Sequence, residues 1–164
     1  MAHPDQSAKV QDILALARQY RDAAITLGEG VSKHNHIPRR LLALHSIELY
    51  LYALLLAKGV DHETIRGFPH DFGERTRRAS EAGLVLRKRT AAHLATLSAS
   101  REYLVIRYGP VPTAKLSQIN RVMATLDELS QKVRKMLAAA SGSKSATGCI
   151  LRAEDTIFGS GSNE

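Results

Sequence analysis

His45 and Glu48 stand three residues apart in LLALHSIELYLYALLLA, the most apolar run of the chain. On a helix that spacing puts both side chains on one face. An imidazole beside a carboxylate in an apolar setting can pass a proton, bind a ligand or form a structural ion pair, and a buried carboxylate must find a partner in any case. Arg101 is the natural candidate, because it falls on the stripe Thr90, Leu94, Leu97, Leu104 and Tyr108 of a later helical segment. Tyr108, further along that stripe, offers a hydroxyl. The pattern predicts a direct Glu48–Arg101 contact and leaves open whether it is structural or functional.

Other groupings carry less chemistry. His34 and His36 flank Asn35, and alternate histidines can bind a metal, but no cysteine or acidic cluster accompanies them and structural zinc takes four ligands. No metal and no cofactor is expected. Asp71-Phe72-Gly73 has the letters of a kinase magnesium motif without the glycine-rich and catalytic loops that go with it, whereas Asp71 with Glu74 reads as a capping box. Arg66, Arg75, Arg77, Arg78, Arg87, Lys88 and Arg89 form the most basic stretch. It is either a phosphate-binding face or a solvated helix laced by Glu74–Arg78 and Arg77–Glu81 pairs at helical spacing. Aromatic side chains for stacking single-stranded bases are scarce.

The elements that must position these residues read as an all-α protein: an antiparallel bundle of about five helices with a flexible C-terminal tail. A first amphipathic helix over 8–28 carries Val10, Ile13, Leu14, Ala17, Tyr20, Ala24 and Leu27 on one face. A loop follows, and Pro38 opens a second helix, apolar on almost every side and stopped by Gly59, which should lie at the centre. A third runs from Asp71 to about Ala82 with Phe72, Thr76, Ala79 and Gly83 inward, and a fourth from about Arg87 to Tyr108. The fifth, from Thr113 to about Ala139, carries Leu116, Ile119, Met123, Leu126, Val133 and Leu137, with Ser130 off the pattern. That stripe either packs within the bundle or pairs with a second copy. The domain therefore spans 1–140, and 141–164 is a Gly/Ser-rich tail.

With 164 residues and net charge +7, the chain suits one basic domain that needs no staples. The single Cys149 cannot form an internal bridge, and the first residues lack the basic start and apolar stretch of a secretory signal. A cytoplasmic location and no membrane association are expected. The apolar run of the second helix is interrupted by His45, Ser46 and Glu48, and reads as core. The basic excess either attracts polyanions or is simply a solvated surface.

Taken in order, HSIELYLYALLLAKG, FPHDFGERTRRASEAGL and REYLVIRYGP resemble the HEPN family, helical domains named for nucleotide binding in higher eukaryotes and prokaryotes. The similarity runs from about Ala8 to Ala139. It rests on Glu48 with Ala53 to Leu55, on His70 with Asp71, and on Tyr103, Arg107 and Tyr108 with Gly109 before Pro110. Tyr52 departs from it, since many relatives have lysine there. The resemblance implies an antiparallel bundle that dimerises, in a family whose members bind nucleotides, cut RNA as toxins or partner a nucleotidyltransferase. Its ribonucleases use an arginine, then four to six intervening residues, then a histidine. Arg40 with His45, Arg39 with His45, and Arg87 with His93 meet that spacing, but fifteen arginines and seven histidines yield such pairs by chance.

The expectation that follows is a non-enzymatic HEPN-like module that binds a nucleotide or RNA through Glu48, His70, Asp71, Arg101, Tyr103, Arg107 and Tyr108. It would act as a homodimer or as the partner of a nucleotidyltransferase in a toxin–antitoxin-type pair. The alternatives are a metal-independent ribonuclease with His45 or His93 as general base beside Arg40 or Arg87, and a structural dimerisation scaffold.

Overall fold

The computed structural model describes residues 9–29, 36–108 and 116–147, with side chains as far as 140. Seven helices and no strand occur among them: α1 (Val10–Glu29), α2 (His36–Ala57), α3 (His62–Arg66), α4 (Phe72–Glu81), α5 (Lys88–Ala99), α6 (Glu102–Tyr108) and α7 (Ile119–Thr147). His34, Gly109, Pro110 and Cys149 lie outside the described residues.

α2 is the hub, packed by α1, α3, α4, α6 and α7, while α5 closes the far side against α4, α6 and α7. Ala43, Leu44, Ile47, Tyr50, Leu51, Ala53, Leu54 and Leu55 are fully buried. By length and composition α2 could cross a membrane, but most of it is covered by the other helices, as a core helix is. Small residues bring α1 close: Ala17, Ala24 and Ala43 are fully buried, and Ser46 Oγ donates to the Ala17 carbonyl at 2.7 Å. α2 ends as its glycine demands. Gly59 sits at φ 87° and Val60 N–H reaches back to the Leu55 carbonyl at 3.1 Å, closing a Schellman turn; Gly83 at φ 101° ends α4 the same way, with Leu84 N–H on Ala79.

Two extra helices correct the expected count. α3 fills the linker after α2, capped by Asp61, whose Oδ1 accepts the Thr64 N–H at 2.7 Å. The predicted fourth helix is really α5 and α6, broken at Arg101, which adopts φ 50°. The cause is Glu102. Its side chain must turn inward to meet Arg40 Nη1 at 2.6 Å and to accept from Ser117 N–H and Oγ at 3.1 and 2.9 Å. A continuous helix would have buried Arg101 instead.

α7 lies within the chain, with a stripe shifted from the expected one: Val122, Thr125, Leu126, Leu129, Ser130, Val133 and Leu137 are buried, and Met123 and Ile119 are only half covered. Ser130 fits the core because its hydroxyl donates to the Asp127 carbonyl at 2.9 Å. The helix runs past Ser141 to Thr147, into the stretch assigned from sequence to the tail. Alanines at 138–140 favour that continuation.

Candidate functional site

Glu48 is buried on α2 at 6% exposure, but its partner is not Arg101. Arg101 is exposed at the α5–α6 break, and the predicted contact does not form. Instead Arg75 Nη2, from α4, lies 3.1 Å from Glu48 Oε1. His70 N–H donates to the same oxygen at 3.1 Å, His70 Nδ1 is 3.1 Å from Oε2, and His45 Nδ1 is 3.7 Å from Oε2. Arg75 was legible as part of a basic run but not as a core residue. It is 4% exposed because Tyr52 and Phe68 face its guanidinium, with ring centroids 5.6 and 5.7 Å from Cζ.

The turn before α4 delivers His70. Asp71 caps the helix as expected, its Oδ1 accepting the Glu74 N–H at 3.0 Å and the Ser98 hydroxyl at 2.9 Å. His70, one residue earlier, is forced to φ 57°, a left-handed conformation that costs a side-chain-bearing residue about 1–2 kcal/mol. That strain aims both its N–H and its ring at Glu48. The ring also stacks on Tyr103 at 4.3 Å, and Tyr103 OH is 3.4 Å from His45 Nδ1. His45 in turn meets Tyr20 edge-on at 4.5 Å. Two imidazoles, the rings of Tyr20, Tyr52, Phe68 and Tyr103, and a carboxylate–guanidinium pair thus form one cluster.

Burial alone would raise the Glu48 carboxyl, but the nearby His45 ring, the Arg75 charge and His70 together outweigh it and hold the pKa at about 2. Burial pulls Arg75 down while the Glu48 charge pushes it back up, and an arginine stays charged. The sign for stability follows directly. A carboxyl ionised more readily in the folded than the unfolded state, where it titrates near 4.5, contributes fully above that pH and loses the contribution as pH falls towards 2. The shift corresponds to on the order of 3 kcal/mol. The stability difference between wild type and Glu48→Gln, measured by denaturant titration, is therefore expected to be full at pH 5 to 7 and to shrink steadily below pH 4.5. A difference that stays constant down to pH 2.5 would contradict this.

The cluster forms one wall of a cavity of about 400 Å³. Its lining combines the polar side chains of Arg66, His70, Arg75, His45, Glu48 and Asp12 with the apolar ones of Ile13, Leu16 and Leu49, and Tyr52 completes it. Tyr52, the departure from the resembled pattern, has its hydroxyl 2.6 Å from His62 Nδ1.

Of the residues expected at the site, Glu48, His45, His70 and Tyr103 come together, with Asp71 beside them as the cap. Arg101, Arg107 and Tyr108 do not join them. Tyr108 is 76% exposed, and Arg107 lies over its ring at 5.4 Å. The arginine–histidine pairs also separate. Arg40 is buried against Glu102 while His45 turns to the cluster, and Arg39 Nε donates to the Ala24 carbonyl at 3.0 Å. Arg87 is exposed at the start of α5, its backbone N–H on Glu128 Oε1 at 2.7 Å. His93 is a core histidine, 2.8 Å from Thr125 Oγ1, lowered first by burial and then by the Arg121 charge, so it is neutral near pH 7. No group of three or more metal-ligating side chains occurs among the described residues.

Fold and site together define an all-α protein whose central helix presents a charged and aromatic cluster to a small-molecule-sized cavity. Comparison with known proteins adds no relative: no family model, no curated protein and no solved structure matches the chain.

Proposed function

We propose that the chain is a HEPN-like module, an antiparallel bundle that binds a nucleotide, free or at an RNA end, in the cavity between α1, α2, α3 and α4. The observation that carries this reading is the convergence of Glu48, His45, His70, Arg66 and Arg75 on one cavity, when apolar side chains would fill a core more cheaply. The left-handed His70 supports it, because backbone strain concentrates where a side chain must be held for a task. The three sequence stretches behind the resemblance supply the cluster: Glu48 from the first, His70 and Arg75 from the second, Tyr103 from the third. In this reading the module is a binder rather than an enzyme, and the exposed Arg101, Arg107 and Tyr108 are left to a protein partner, a nucleotidyltransferase or a second copy.

Equilibrium binding of mononucleotides and of a short RNA, each at about 50 and about 200 mM salt, tests the reading. Saturable binding that weakens with salt is expected. If neither probe binds in a salt-sensitive way, the nucleotide reading is lost.

A further inference from the structure

We infer that Arg66 and Arg75 build a phosphate-monoester subsite in this cavity, and that the apolar wall of Ile13, Leu16 and Leu49 takes the body of a mononucleotide-sized ligand. The inference rests on the nucleotide reading above and narrows it from any nucleotide-bearing partner to one with a terminal phosphate.

A guanidinium carries five N–H donors in a fixed fork. Arg75 spends Nη2 on Glu48, and its Cζ lies over the Tyr52 and Phe68 rings at 5.6 and 5.7 Å. Its Nε and Nη1 are buried and find no acceptor among the described residues; Arg66 Nη1 is in the same condition. A buried donor left so is costly, more so on a charged group, and folded proteins seldom leave several together. Both arginines line the one cavity. Two guanidinium cations that line one cavity and still carry unpaired N–H donors suit a phosphate, whose terminal oxygens can accept from both once the forks turn toward it.

The charges agree. Glu48 also lines the cavity and would repel an anion, but its oxygens are already engaged by Arg75, His70 and His45. That carboxylate balances one arginine and leaves Arg66 to the ligand. Asp12, the other acid on the wall, lies on an exposed stretch of α1. A cavity of about 400 Å³ holds a small molecule or a chain end, not the interior of a polymer. Leu16, exposed at 41%, leaves an apolar surface among the residues that line the cavity.

The test compares a nucleoside, its 5′-monophosphate and inorganic phosphate on the full chain and on Arg66→Gln. Arg66 is chosen because Arg75 also holds Glu48. Calorimetry is expected to give the monophosphate at least tenfold tighter binding than the nucleoside on the wild type, and less than twofold on Arg66→Gln. Millimolar phosphate, against chloride at equal ionic strength, is expected to raise the wild-type melting temperature and not that of the variant. Leu16→Ala should weaken nucleoside and monophosphate equally. If nucleoside and monophosphate bind alike, or their ratio survives in Arg66→Gln, the subsite is overturned and the nucleotide reading stands. If phosphate stabilises the wild type through Arg66 while neither nucleoside nor monophosphate binds, the subsite stands and the nucleotide reading falls. If nothing binds, both are overturned.

Discussion

Glu48→Gln and Arg75→Met are each expected to cost about 3–5 kcal/mol of folding stability, while the double variant costs little more than either alone. The reasoning is that of a buried pair. Glu48 and Arg75 are 6% and 4% exposed and 3.1 Å apart, so deleting Glu48 leaves a buried guanidinium without its counter-charge, and deleting Arg75 leaves the carboxylate to the histidines alone. Deleting both removes that penalty, and two neutral side chains of similar size remain. A double-mutant cycle in urea reads the coupling directly. Two losses that simply add would mean that Glu48 and Arg75 do not hold one another, and the cluster at the cavity wall would lose its anchor.

Arg40→Met is expected to cost a comparable amount, about 3–5 kcal/mol, for the same reason at the other end of α2. Arg40 and Glu102 are both 4% exposed at the side chain and 2.6 Å apart, and without the arginine Glu102 keeps only Ser117. Since this pair fixes α6 against α2 and against the residues leading into α7, its loss should unfold the protein at lower denaturant without weakening ligand binding. A stability change under about 1 kcal/mol would show that the Arg40–Glu102 pair does not fasten α6 to α2.

α1 and α7 were legible from an apolar stripe at helical spacing, α2 from an almost wholly apolar run ended by Gly59, and α4 from the Asp71 cap at its start. Periodicity could not reveal the break at Arg101. Nothing in SREYLVIRY is a helix breaker, and the bend arises from a distant requirement, the burial of Glu102 beside Arg40. The same limit explains the wrong partner for Glu48. Helical spacing identified a carboxylate in need of a cation, but Arg75 looked like one of several surface arginines on a basic helix. Its neighbours Arg77 and Arg78 do behave that way, pairing with Glu74 and Glu81 at the surface. What singles out Arg75 is its place one turn after Asp71 on the same side as Phe72 and Ala79, where the sequence pattern alone places Thr76. His70 was found through its motif rather than its geometry, since no sequence rule foretells a left-handed histidine.

The most direct test of the cavity as the binding site is an NMR titration that follows the histidine ring signals while a 5′-mononucleotide is added. His45 and His70 signals are expected to move together and saturate with the ligand, while His93, buried against Thr125, stays still. Movement confined to the exposed face of Arg101, Arg107 and Tyr108, with His45 and His70 unmoved, would contradict the account.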